Sequence, residues 1–189
     1  MPISRKNFAI ILSSPSGAGK TTLTKKIKNY FSEFEISISC TTRKSRVGEI
    51  EGIDYFFISK DIFKKKIEND EFYEHANIFG NFYGSSKKFV QGIYNKKKNV
   101  LFDIDWQGAR QLDKFKDLNL IKFFILPPNK NELLKRLTLR KKDKTKSIEE
   151  RIKSYQNDIK HWNEYDYIFI NNDLEVCFNQ MKYVIQKSF

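Results

Sequence analysis

Nine consecutive residues, Ser14-Pro15-Ser16-Gly17-Ala18-Gly19-Lys20-Thr21-Thr22, set two glycines, a lysine and several hydroxyls directly after a short apolar run. A phosphate chain needs inward-pointing backbone N–H groups and no side chains in the way, which Gly17 and Gly19 permit. A helix opening at this point adds partial positive charge. Lys20 then reaches the β and γ phosphates of a nucleotide, and the Thr21 hydroxyl can ligate Mg²⁺. Ser14 stands where the strict G-x-x-x-x-G-K-[ST] pattern has its first glycine. Asp103 and Asp105 form a second set, ending the apolar stretch of LFDIDWQG. A phosphate-loop protein needs a carboxylate there to hold Mg²⁺ or its waters. On a strand these two positions face the same side. The plainer readings are a glycine-rich turn that binds nothing and a pair of solvated carboxylates.

Both sets require strands to carry them. Residues 8–13, 99–104 (NVLFDI), 120–126 (LIKFFIL) and 167–170 read as buried strands, and 21–31, about 106–116, 129–140 and 173–186 as the helices that follow. Pro127-Pro128 stops the third strand, and Asn129 or Asn131 can cap the next helix. Such alternation predicts an α/β fold: a parallel sheet covered by helices on both faces. From 37 to 98 the pattern breaks into short aromatic stretches punctuated by Gly48, Gly52, Gly80 and Gly84, which predicts a small mixed lobe inserted in the core. LRKKDKTKS at 139–147 has no apolar face and reads as a basic flap leading into a helix over 148–162.

The chain has 189 residues, 40% hydrophobic and 15% aromatic, enough apolar surface to exclude wholesale disorder. No apolar run approaches the ~20 residues of a membrane span, and the basic-then-apolar start reads as a first strand instead of a signal peptide. Cys40, Cys177, His75 and His161 are too few and too scattered for structural zinc; one disulfide is open to the chain but unneeded at this size, and the lack of an export signal points to a reducing cytoplasmic location. The net charge of +12 is concentrated: residues 1–30 carry +6 and 110–146 carry +8, while 31–109 balance and 147–189 carry −2. A nucleic-acid surface and a polyphosphate pocket both fit that distribution.

The chain resembles the guanylate kinases over roughly 6–187. The motifs arrive in order: SPSGAGKTT at 14–22, SCTTRKSRVGEIEGIDYFF at 39–57, EFYEHANIFGNFYGSS at 71–86, DIDWQG at 103–108, LLKRLTLR at 133–140, SIEER at 147–151 and INND at 170–173. The resemblance implies a P-loop NTPase core (1–36, 99–138 and 152–189), an inserted GMP-binding lobe (37–98) and a short lid (139–151). It implies transfer of the γ-phosphoryl group of ATP to GMP, with Mg²⁺ held by Thr21 and, through water, Asp103. Ser14 to Thr22 would bind ATP, and Asn171 would contact its adenine. Arg43, Arg46, Tyr55 and Tyr83 would hold the GMP phosphate, where planar guanidinium forks suit a dianion better than lysines do. Glu74 would accept from the guanine N1–H and N2–H₂ donors, with Ser39, Ser85 and Asp105 as polar partners. Arg136, Arg140 and Arg151 would join Lys20 in neutralising charge during transfer. Trp106 and His75 depart from the residues expected there, and His75 reads as packing within the lobe.

Three rivals follow: a related domain that binds proteins and has lost catalysis, a nucleic-acid binder, and a kinase for AMP or a pyrimidine monophosphate. The intact loop and lid arginines oppose the first. The neutral middle lobe opposes the second, and Glu74 with the Arg43/Arg46 segment opposes the third. Expected partners are the small molecules GMP and ATP, with neither nucleic acid nor membrane, and with monomer or homo-oligomer left open.

Overall fold

A computed structural model describes residues 8–139 and 148–188. Five parallel strands form the central sheet: β1 (Ala9–Ser13), β2 (Phe34–Ile36), β7 (Asn99–Asp103), β8 (Leu120–Leu126) and β9 (Tyr167–Ile170), in the order β2-β7-β1-β8-β9. All of β1 is buried, which explains its unbroken apolar run. Alternate residues face opposite sides. Ile10 and Leu12 pack with Leu23, Ile27, Cys177, Phe178 and Met181 from α1 (Lys20–Tyr30) and α7 (Leu174–Ser188). Ala9 and Ile11 pack with Val90, Ile93, Ala109 and Leu112 from α3 (Lys87–Asn95) and α4 (Trp106–Leu112). Full burial of an Ile or Leu contributes about 1.5–3 kcal/mol, against about 1–2 kcal/mol for ordering its backbone, so β1 is a rigid carrier for the loop that follows it.

Four further strands, β3 (Cys40–Thr41), β4 (Phe56–Phe57), β5 (Phe72–Ile78) and β6 (Asn81–Ser86), make a separate mixed sheet ordered β4-β3-β6-β5. Beneath it lies α2 (Lys60–Glu68), whose Phe63 stacks on Phe72 (4.6 Å between centroids) and Phe82 (5.4 Å). These rings form a small core with Cys40. Beyond β8, α5 (Lys130–Leu139) and α6 (Ile148–Asp158) complete the order. Asn129 Oδ1 accepts from the Glu132 N–H at 2.9 Å, making Asn129 the cap. Among the described residues no helix is long and apolar enough to cross a membrane, and both cysteines are free and buried.

Several boundaries differ from the sequence reading. Strand β7 stops at Asp103, so Asp105 is not a strand residue: it is the N-cap of α4, its Oδ1 accepting from the N–H groups of Gln107 (3.0 Å) and Gly108 (3.1 Å). The helix expected over 106–116 ends at Leu112 and resumes as a 3₁₀ turn at Lys116–Leu118. The helix expected over 148–162 tightens to 3₁₀ geometry at Ile159–Glu164. Strand β2 was not read at all, being three residues long and too short to show a period.

Candidate active site

Strand β1 lies between β7 and β8, so the chain leaves its carboxyl end at the point where the sheet's connections diverge, a place where α/β sheets bind ligands. There Gly17 (φ 93°) and Gly19 (φ 99°) adopt left-handed backbone geometry that other residues resist. Gly19 caps α1 without a side chain, and the first turn of α1 holds no acidic residue. The orphan N–H groups and the helix dipole are therefore free to meet an anion. Leu133 and Leu137 of α5 pack against Gly17 from outside the loop.

Lys20 turns towards β7. Its Nζ pairs with Asp103 Oδ1 at 2.5 Å and donates to the Ile104 carbonyl at 3.0 Å. This places the loop's ammonium over the carboxyl end of β7. Asn171, just past β9, is buried behind the loop, where its Nδ2 donates to the Ala18 carbonyl at 2.7 Å. Its side chain supports the loop backbone. Arg136 braces the same corner, donating to Asn171 O (3.1 Å) and to Glu132 Oε1 (2.9 Å). Arg140 lies outside the described residues, as does the side chain of Arg151 on α6.

The mixed sheet faces this corner. Arg43 directs its fork at Glu49, with Nη2 to Oε1 at 2.8 Å and Nη1 to Oε2 at 3.0 Å. Glu49 also accepts from the Arg46 backbone N–H at 2.7 Å. Arg43 lies over the Tyr55 ring (5.3 Å), and Tyr55 meets Tyr83 edge-on at 5.9 Å, so the four expected phosphate-binding residues form one cluster. Burial raises the Tyr55 phenol well above its ordinary pKa, keeping it a hydrogen-bond donor. Glu74 on β5 is buried, its Oε1 accepting from Ser85 Oγ at 2.6 Å across the β5–β6 pair. Burial, reinforced by the charge of Asp105 and resisted by the Ser85 bond, pushes the Glu74 carboxyl up to about 7.

Two cavities lie between the sheets. One, about 350 Å³, is lined by the phosphate loop with Arg46, Tyr83, Asp105, Trp106 and Asp158; the other, about 600 Å³, by Thr21, Ser39, Arg46, Glu49, Tyr55 and Asp103. Thr21 and Arg46 border both. Arg43, Glu74 and Ser85 sit behind the walls. Three participants were not singled out in the sequence. Glu49 orients the arginines from within a quoted motif. Asp158, raised to about 6 by burial and then by the charge of Asp105, lines the smaller cavity. His161 stacks on Trp106 at 3.8 Å while its Nδ1 meets Glu164 at 2.8 Å. No periodicity marks such residues: Glu49 acts on arginines in its own loop, while Asp158 and His161 matter through Asp105 and Trp106, distant in the chain.

A parallel sheet with a phosphate loop at its switch point, a helix amino terminus aimed into a cleft and a second sheet lining the far wall define a P-loop NTPase fold of the nucleotide-kinase type. Comparison with known proteins narrows that class. A family model described as guanylate kinase matches residues 6–188. The chain is 45% identical over 183 residues to a guanylate kinase of Ruegeria sp. (strain TM1040), covering 96% of this chain and 84% of the relative. It is 42% identical over 185 residues to one of Rickettsia felis, covering 98% and 96%. The crystal structure of guanylate kinase from Anaplasma phagocytophilum superposes with a TM-score of 0.79 at 32% identity, over 96% of this chain and 86% of that one. The chain belongs to the guanylate kinase family.

Proposed function

We propose that the cleft catalyses transfer of the γ-phosphoryl group of ATP to GMP, giving ADP and GDP, in the cytoplasm. One observation carries this assignment: Thr21, within the phosphate loop, and Arg46, clustered with Arg43, Tyr55 and Tyr83, border the same two cavities, so donor and acceptor phosphates would meet across a short gap. The loop from Ser14 to Thr22 holds the ATP phosphates. Arg43, Arg46, Tyr55 and Tyr83 hold the GMP phosphate, and Glu74 with Ser39, Ser85 and Asp105 reads guanine. Asn171 contacts the adenine and Arg136 neutralises charge during transfer, as the resemblance implies, and their mutual hydrogen bond and that of Asn171 to Ala18 brace the ATP corner. Arg140 and Arg151 act over the transferring group, as the resemblance implies. Transfer of this kind needs positioning and charge stabilisation, not a nucleophilic side chain.

Mg²⁺ fits the donor set as a companion of the nucleotide. Among the described residues no group of three or more His, Cys, Asp or Glu could hold a metal alone. Thr21 and Asp103 supply one hydroxyl and one carboxylate, and Mg²⁺ commonly completes its shell with phosphates and water. The ion supplies neutralisation of phosphate charge. Around it, Lys20 delivers a further positive charge to the same phosphates, and the glycine backbone orients them.

A coupled assay for ATP consumption with GMP, AMP, CMP and UMP as acceptors tests the assignment. Turnover with GMP far above the others is expected. Equal use of AMP, or no GMP-dependent ADP, overturns it.

A further inference from the structure

Helix α4 carries Asp105 as its N-cap, and Gly108 and Gln111, three residues apart, lie on one of its faces. Both meet β5. The Gln111 side-chain amide pairs with both backbone groups of His75: Oε1 accepts from the His75 N–H at 3.0 Å, and Nε2 donates to the His75 carbonyl at 2.7 Å. The same Nε2 donates to the Gln107 carbonyl at 3.1 Å, which fixes the side chain against its own helix. Strand β5 is the edge of its sheet, with β6 on its other side. Gln111 therefore serves as a single rung of a missing neighbour strand, joining the mixed sheet to the core one residue from Glu74.

Gly108 lies between the two carboxylates. Its N–H donates to Asp105 Oδ1 at 3.1 Å, and a Cβ built there would fall 2.4 Å from Glu74 Oε2 and 2.9 Å from Glu74 Cδ. Its backbone conformation does not demand glycine, since its φ is not positive. A glycine inside a helix costs about 1 kcal/mol relative to alanine. Close approach of the Glu74 carboxylate is the contact that accounts for it. With His75 pinned by Gln111, β5 cannot withdraw to make room for a methyl group.

We propose that Gln111 and Gly108 are positioning residues for base recognition: Gln111 fixes β5, Gly108 seats the Glu74 carboxylate, and together they set its placement relative to Asp105. The inference rests on the reading of Glu74 as the acceptor of the guanine N1–H and N2–H₂ donors. It also assigns α4 a function the sheet packing alone does not require, since Ala109 and Leu112 already supply its buried apolar face.

Gln111→Met keeps length and bulk while removing both bonds to His75; Gln111→Glu keeps an acceptor for the N–H and loses the donor; Gly108→Ala crowds Glu74 with Gln111 intact. Affinities for GMP, for IMP (which lacks the 2-amino group) and for ATP are measured by calorimetry, alongside Glu74→Gln. Gln111→Met and Gly108→Ala are expected to weaken GMP binding about tenfold, to lower the GMP-over-IMP preference severalfold and to leave ATP affinity within about twofold. Gln111→Glu should fall between wild type and Gln111→Met. A purely structural role would lower thermal stability without moving the GMP-over-IMP ratio, and that result overturns the proposal. If Glu74→Gln itself leaves the ratio unchanged, the base reading falls and the positioning role with it. If Glu74→Gln abolishes the preference while Gln111→Met and Gly108→Ala do not alter it, only the positioning role is refuted. Should Gln111→Met fail to fold, Gly108→Ala decides.

Discussion

Replacing Glu74 by glutamine separates two consequences of burying a carboxyl beneath the base site. Glu74 is 3% exposed, and burial, assisted by the charge of Asp105, lifts its pKa from 4.5 to about 7. Between those values the folded chain holds a proton that the unfolded chain has released. Stability must therefore fall as pH rises through this window, because the native state binds more protons. At about 1.4 kcal/mol per pKa unit, the loss is about 3 kcal/mol once the pH exceeds 7. Glutamine does not titrate and removes that loss, while a disturbed Ser85 contact returns about 1 kcal/mol. Glu74→Gln should therefore be more stable than wild type by about 2 kcal/mol at about pH 8, and no more stable at about pH 4.5. Binding runs the other way. Guanine's two donors need the ionised carboxylate, so wild-type GMP affinity should rise with pH up to about 7 and then level off. Glu74→Gln should retain only the dependence arising from the ligand phosphate, whose second pKa is near 6 in phosphate monoesters. Urea unfolding at the two pH values measures the first effect; calorimetry in buffers of different ionisation enthalpy counts protons released on GMP binding. If the variant gains no stability between pH 4.5 and 8, or if it releases as many protons as wild type near pH 6.5, the buried-carboxyl reasoning fails.

Lys20→Ala should lower turnover by about 10²–10³ with little change in melting temperature, because the ammonium is aimed at developing phosphate charge and lies at the rim of the core; stopped-time assays and thermal melts check both. Arg43→Lys keeps the charge but loses the fork that Glu49 grips, so KM for GMP should rise about tenfold or more while KM for ATP holds; equal KM values for GMP would remove Arg43 from phosphate binding. Closure of the cleft should be uneven. A distance label at exposed Val47 should approach the core when both nucleotides bind, and one at Lys88, on a helix packed into the core, should not; equal movement of both refutes this uneven closure.

The phosphate loop was legible because its chemistry is local: spacing alone dictates the turn, the glycines and the helix that follows. Four of the five core strands were legible as apolar runs: β1 is buried throughout, whereas β9, read as a buried strand, is an edge strand with only Phe169 buried. Asp105 was misassigned to a strand because one cap residue and one strand residue look alike in LFDIDWQG. Only its bonds to the N–H groups of Gln107 and Gly108 distinguish them. Glu74 had no local signal at all. Its burial, its bond to Ser85 and its seat on Gly108 depend on residues from 11 to 34 positions away, and the family resemblance alone pointed to it. The bond from Asn171 to the Ala18 carbonyl likewise had no local signal, since the two residues lie 153 positions apart.

The charged groups of the site share one arrangement. Lys20 is matched by Asp103, Arg43 by Glu49, and the buried Glu74 carboxyl by the Ser85 hydroxyl. Each partner resembles what a substrate would bring. Asp103 and Glu49 present anionic oxygens, as phosphates do. Such pairing avoids uncompensated buried charge, which costs several kcal/mol, and keeps each fork or ammonium close to its working orientation. A substrate that enters exchanges one partner for another and so gains less than the full strength of each new contact. Ground-state affinity is restrained in that way, while contacts completed only as charge develops on the transferring group still lower the barrier. A carboxylate next to Lys20 and next to Arg43, which at first sight weakens an anion site, is therefore consistent with a catalyst built to release its products.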